Sequence, residues 1–453
     1  MTETPNRSRR RVLTGVGAIS ATLVAGCSAR PWQSSTEGTV RFPPNELEPI
    51  LAAAAPERER PVPVEPDESV REDGLARTDD LLAPIPEPVD AETVPNGVVR
   101  DSIESARDTA RAYDDDAVDV TGPPLYHVAR NELRRSREAA REAATTLAAI
   151  DDRSLVEELS AERDQTHSAV DARLESVEYR GADTDDGRLR AALLFAAFED
   201  DHSDALRGVE RWGVDEQTDV VEIGEGAGDL EFAEATTTIW EHITERYDAD
   251  VDEPIGLEAE FDDALRASID RAESVDLPDQ RQDDWLDELV AVDVEPGFTQ
   301  TVLWDAVRPV YNARDGMTDA ADGVQLGTGL ADAVRFEQAI RAFEIVRDRV
   351  EADELASPET IEIADVRAER EAAIDAANSA QVELSGPSLG TARLAETLQS
   401  LTWTDETIRR HVGLDRETTV SVTGEYSEYV CERAWFEVLP EAVSAFRGRL
   451  LAA

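Results

Sequence analysis

The chain has 453 residues, of which 99 are acidic and 45 basic, giving a formal net charge of −54 at pH 7; no lysine occurs, so every basic residue is an arginine. Such a surface argues against a nucleic-acid partner, because a phosphate backbone would meet like charge almost everywhere, and its self-repulsion opposes compact folding until molar salt shortens the Debye length to about 3 Å. With only Cys27 and Cys431 available there is no disulfide framework, so stability must come from a conventional core, for which the length suffices in one large or two medium domains.

The N-terminus is basic, with Arg7, Arg9, Arg10 and Arg11, and an uncharged stretch follows from Val12 to Gly26. At roughly 15 residues this stretch is shorter than the ~20 that span a bilayer as a helix, so residues 1–26 read as an export signal and not as a permanent span. Arg9 and Arg10 with Leu13 resemble a twin-arginine signal, with Val12 standing where that pattern usually has Phe. Directly after them, Leu23-Val24-Ala25-Gly26-Cys27 resembles a lipobox. With the acidic, lysine-free composition, these residues resemble a haloarchaeal lipoprotein exported by the twin-arginine route. The resemblance covers the signal and lipobox alone; it implies lipidation of Cys27 and tethering to the extracellular face of the cell membrane. The bland alternative is a buried N-terminal helix in which Cys27 is incidental. No later segment is long and apolar enough to hold the chain in a membrane.

Residues 27–96 are rich in proline and acid, from Pro31 and Pro43 through Pro88 and Pro95, and read as an extended stalk. The apolar cluster Leu47 to Leu51 is a place where that stalk could dock on the body. From about Gly97 the periodicity becomes helical. Apolar and small residues from Tyr126 through Leu133, Ala140 and Leu147 to Ile150 form one narrow seam. Further helices are expected over about 155–177, 189–212, 230–247, 257–273, 283–292, 299–312, 330–356, 358–380, 389–411 and 426–451. Strand-like runs are few: Val220 to Ile223 and Thr418 to Val422. The expected fold is therefore all-α, a multi-helix body of helical hairpins. The Gly-rich stretch from Gly316 to Gly329 suggests a break between two helical subdomains, 97–315 and 316–453.

Three constellations carry chemistry that can be weighed. Val220 to Leu230 contains Gly224, Gly226 and Gly228 after a strand-like run, and resembles the first motif of class I methyltransferases that use S-adenosylmethionine. That family needs a parallel sheet, which the flanking sequence does not supply, so the expectation is a Gly-rich turn between helices. Asp248, Asp250 and Asp252 occupy positions one, three and five of an EF-hand-like calcium loop, but Glu253 replaces the turn glycine and Ala259 the bidentate glutamate; the alternative is a solvated acidic turn. Glu199 with His202 has the Glu-x-x-His spacing of metal-binding bundles, and Asp164 with His167 repeats it loosely; the alternative is histidines hydrogen-bonded within helix interfaces. Cys431 reads as a small buried apolar residue, and the tryptophans in helical stretches, Trp240 and Trp403 among them, as core anchors.

The expected role is a non-catalytic helical binding or scaffolding module held outside the membrane, without a cofactor and with an extracellular protein as a partner. A helical metalloprotein or redox protein using Glu199, His202, Asp164 and His167 is the competing class, and a solute-binding lipoprotein of a transporter is a third.

Overall fold

The computed structural model describes residues 39–215, 217–281, 285–292, 297–415 and 417–453. Arg9, Arg10 and Cys27 lie outside them. Thirteen α-helices carry the described chain: α1 (Ser69–Leu82), α2 (Gly97–Ala117), α3 (Leu125–Val128), α4 (Arg134–Asp151), α5 (Leu155–Glu175), α6 (Asp185–Glu210), α7 (Val220–Asp250), α8 (Glu258–Glu273), α9 (Phe298–Asp322), α10 (Leu326–Glu351), α11 (Ile363–Glu383), α12 (Leu389–Val412) and α13 (Thr423–Leu450). One small sheet occurs among them, β1 (Arg180–Gly181) paired antiparallel with β2 (Ile255–Gly256). The fold is all-α. None of the described helices is long and apolar enough to cross a membrane.

Several helix starts follow directly from capping chemistry. Asn96 accepts a hydrogen bond from the Val98 amide at the head of α2, Thr184 from Gly187 at α6, and Asp219 from both Val221 and Glu222 at α7. Each satisfies backbone donors that the first helical turn leaves open. Helix α3 runs into α4 through a π turn over Ala129–Leu133, so the seam expected from Tyr126 to Ile150 is one continuous helical rod with a local widening.

In the N-terminal half, α4 is the central helix, with α1, α2 and α7 packed along it and α5 and α6 against α7; in the C-terminal half, α9, α11 and α12 gather around α10 and α13. Helix α6 lies on α10 and joins the halves. One apolar cluster, from Leu47 to Leu450, runs through both. The glycine stretch 316–329, read as a subdomain break, is a tight hairpin in which α9 and α10 pack along each other. Its glycines serve close approach: a Cβ on Gly327 would lie 2.4 Å from the Ala196 amide nitrogen, and one on Gly329 2.6 Å from Leu265.

Several expectations change. The segment from 39 to 96, expected as part of an extended stalk, is packed on the body. Val40 donates to the Pro358 carbonyl, Phe42 pairs with Val420, Leu47 and Ile50 are fully buried, and Ser69–Leu82 is helical. The docking of Leu47 to Leu51 outweighs the proline content, since burying such side chains contributes about 1.5–3 kcal/mol each. The second change concerns Val220 to Leu230, which is neither strand nor turn but the first third of α7. Gly224 and Gly228 face α4 so closely that a Cβ on Gly224 would lie 1.9 Å from Thr146 Oγ1 and 2.7 Å from the Glu142 carbonyl oxygen. Close helix–helix packing offsets the roughly 1 kcal/mol that a mid-helix glycine costs. The run Thr418 to Val422 contributes only the Val420 bridge, and of the helix expected over 283–292 the described residues form a 3-10 turn, Asp287–Leu289.

Candidate functional site

Helices α6 and α7 each carry an aromatic face at helical spacing: Phe195, Phe198 and His202 on α6, and Trp240 and Tyr247 on α7. All five rings are buried. They form the floor of an open cavity of about 200 Å³ bordered on the third side by the end of α5 and the segment leading to β1, where the exposed Arg173, Ser176, Glu178 and Arg180 line its mouth. The rings meet edge to face or tilted, with 5.4 Å between the centroids of Phe198 and Trp240 and 4.0 Å between those of Phe198 and His202. Such contacts fix ring positions beyond what burial alone achieves.

Behind the floor stands a largely buried charged group. Asp201 accepts from Arg130 Nε at 2.7 Å, from Arg134 Nη2 at 3.0 Å and from the Trp240 indole N–H at 2.7 Å. Burial alone would push the Asp201 carboxyl up, but the Arg130 and Arg134 guanidiniums outweigh it and hold the carboxyl below its usual range. Arg130 belongs to the π turn, and its guanidinium also covers the rings of Tyr126 and Trp240 at 5.1 and 5.3 Å. Trp240 is thereby pinned by its N–H on one side and a cation on its face.

His202 is the one imidazole in the floor. Its Nδ1 lies 2.8 Å from the Phe198 carbonyl oxygen, which can only accept, so Nδ1 carries the proton and Nε2 is left as an acceptor. Burial pushes the imidazole pKa down to about 4, and the ring is neutral at physiological pH.

The residues singled out as metal ligands do not come together. Glu199 is buried beside His202 in sequence but is spent on α10: it accepts from the amides of Gly327 at 3.1 Å and Thr328 at 2.7 Å and from the Tyr179 hydroxyl at 2.6 Å. A carboxylate at a helix N-terminus satisfies open donors and the helix dipole together. Asp164 is exposed and pairs with Arg163, while His167 is half-buried, 3.8 Å from Glu210. Asp248 and Asp250 lie in the last turn of α7, where residues two apart point to different sides of the helix, and Asp250 pairs with Arg190; Asp252 is exposed beyond the helix end. Among the described residues no three His, Cys, Asp or Glu side chains are grouped so as to hold a metal ion. Cys431 is buried, as expected, and burial pushes its thiol pKa well up. Trp240 and Trp285 are buried, but Trp403 stands 44 % exposed on α12.

Sequence reasoning placed His202 on the face of Phe195 and Phe198 but missed the opposing face of α7 and the role of Asp201. The signal was the spacing of Trp240, Thr244 and Tyr247, which repeats the aromatic stripe of α6 on the next helix.

Two family models match the chain, each described as a domain of unknown function: DUF8262 over residues 69–253 and DUF8264 over residues 258–448. They meet at β2, between α7 and α8. No curated protein and no solved structure matches the chain.

Proposed function

We propose that the chain is an exported lipoprotein, tethered at Cys27 to the outer face of the cell membrane, whose helical body is a binding module for a small molecule. The observation that carries the binding role is the cavity between α5, α6 and α7. It has a buried aromatic floor, a charged mouth and an internal Arg130–Asp201–Arg134 group that holds the floor rigid, the combination expected of a preformed ligand pocket. Its volume of about 200 Å³ lies below the ~300–1,000 Å³ of sites for drug-sized ligands, so the ligand is small. The tether is supported by the Arg9-Arg10 signal and by the lipobox ending at Cys27. The net charge of −54 suits a body working in concentrated salt.

The test of the binding role is a thermal-shift screen with small cationic, anionic and neutral compounds against the wild-type chain and Thr237→Trp. Thr237 is half-buried in the cavity wall, so the variant fills the space while the helix remains. The expected result is a raised melting temperature with at least one class, lost in the filled variant. A shift that survives Thr237→Trp, or none with any class, would contradict the reading.

A further inference from the structure

Helix α12 carries the one exposed tryptophan among the described residues. Trp403 is 44 % exposed, as is Leu414, whereas Trp240 and Trp285 are buried and Trp212, Trp304 and Trp435 half-buried. Gly413, the cap of α12, keeps the right-handed helical conformation at φ −75° and ψ −6°. Leu414 therefore falls three turns after Trp403, about 16 Å along the helix and within roughly 20° of it around the axis. Thr407 and Arg410 fill the stripe between them: Thr407 Oγ1 donates to the Trp403 carbonyl at 3.1 Å, and Arg410 Nη2 donates to Thr407 Oγ1 at 2.8 Å. The opposite face of the helix, with Leu401, Thr404 and Ile408, is buried.

Two observations say what covers the exposed stripe. The first is where the chain from Cys27 joins the body. Thr39 follows Cys27 by 12 residues, and the residues after it are fastened to the loop beyond α12. Phe42 pairs with Val420, while Arg41 donates to Thr419 Oγ1 at 3.3 Å and to the Thr419 carbonyl at 2.7 Å. Only five residues separate Thr419 from Leu414, at most about 18 Å of chain. The stripe thus begins at the corner where a tether from Cys27 arrives. The second observation is charge. In a molecule of net charge −54, the exposed Glu406, Asp415 and Glu417 at this corner are matched by the exposed Arg41, Arg409 and Arg410. Phosphate headgroups are therefore repelled less here than by the acidic surface at large. At molar salt the Debye length is about 3 Å, which leaves apolar burial as the main attraction, and tryptophan is the side chain suited to the headgroup level of a bilayer.

We propose that the Trp403 to Leu414 stripe of α12 rests on the bilayer that holds the Cys27 tether, with both apolar side chains at headgroup level and Arg410 on lipid phosphate. The proposal builds on the tethered reading above. Since one lipid chain alone binds a membrane only marginally, a second contact beside it strengthens retention and fixes the orientation of the body. Two side chains are too few to hold the chain without the tether, so release of Cys27→Ala is still expected.

The experiment supplies the tether chemically and so does not depend on lipidation in the cell. The full chain carrying Trp32→Phe is coupled through Cys27 to a maleimide lipid in phosphatidylglycerol vesicles with brominated acyl chains, at molar salt; Cys431 is buried and does not compete. Bromine quenches the emission of tryptophans that reach the bilayer. Quenching is expected, Trp403→Phe should remove most of it, and Leu414→Ser should reduce it several-fold. No quenching, or quenching that Trp403→Phe leaves unchanged, would overturn the proposal. Self-association without lipid that Trp403→Phe abolishes would assign the stripe to a second copy of the chain and overturn it as well. Either failure leaves the tether itself standing, because lipidation of Cys27 is judged separately by fractionation of cells.

Discussion

At the scale of single residues, two positions show how narrowly the sequence is matched to the packing. Gly224 lies where α7 touches α4, against Thr146 Oγ1 and the Glu142 carbonyl. Alanine would gain about 1 kcal/mol in helix propensity, but its methyl group would meet a backbone oxygen that cannot rotate away. Gly224→Ala should therefore lower stability by about 1–3 kcal/mol, and Gly226→Ala by less, because Gly226 faces the side chains of Trp212 and Val214. Denaturant midpoints of the two variants check the order; a Gly224→Ala midpoint at or above the wild type would contradict it. Arg370 is the second position. It is fully buried, bidentate to Asp405 at 2.7 Å for each bond, and donates to the carbonyls of Ile50 and Ala53. Arg370→Met should cost about 3–5 kcal/mol by stranding a buried carboxylate, and should speed amide exchange over residues 47–53. Exchange no faster than in the wild type would show that Arg370 does not hold that segment.

At the scale of elements, the α4–α7 seam carries acid in a place where water is scarce. Burial pushes Glu138 and Glu142 on α4 up to about 7, and Asp229 on α7 up to about 6. Since these carboxyls take up protons more readily in the folded chain than in the unfolded one, protonation stabilises the fold. That contribution is complete below the unfolded carboxyl pKa of about 4 and is lost as the pH rises through about 7. Glu142→Gln should raise the melting temperature at about pH 8, by an amount corresponding to roughly 1–2 kcal/mol after allowing for partial solvent contact, and should leave it unchanged near pH 4. An equal gain at both values would contradict the assignment. The same seam shows what the sequence revealed and what it hid. The apolar stripe from Tyr126 to Ile150 was legible because one helix face carries it. Gly224 to Gly228 was misread because glycine means a turn when judged locally and close approach when another helix lies within contact, and only the fold supplies that helix. Helix α1 was hidden by prolines at either end of its segment, and the pairing of the α6 and α7 aromatic stripes by the 35 residues or so that separate them in sequence.

At the scale of the whole molecule, residues 39–68 lie outside both family regions and touch both. The segment pairs with Val420 and Pro358, passes Arg370, accepts from Arg190 at the Pro63 carbonyl, donates from the Asp67 amide to His242 Nε2, and so fastens the C-terminal half to the elements that form the cavity. The net charge of −54 acts against this closure at low ionic strength. Helical circular dichroism should fall when the chain is dialysed from molar to millimolar salt and return on restoring it; a melting temperature independent of salt would contradict that expectation. The described body begins only 12 residues after Cys27, a span of at most about 40 Å of extended chain, so a lipid on that cysteine would keep the start of the body close to the membrane. Fractionation of cells expressing the wild type and Cys27→Ala tests the tethered role most directly. Wild-type protein is expected in the membrane fraction and Cys27→Ala protein in the medium; Cys27→Ala protein that stays with the membrane, or wild type that is never exported, would contradict the tether.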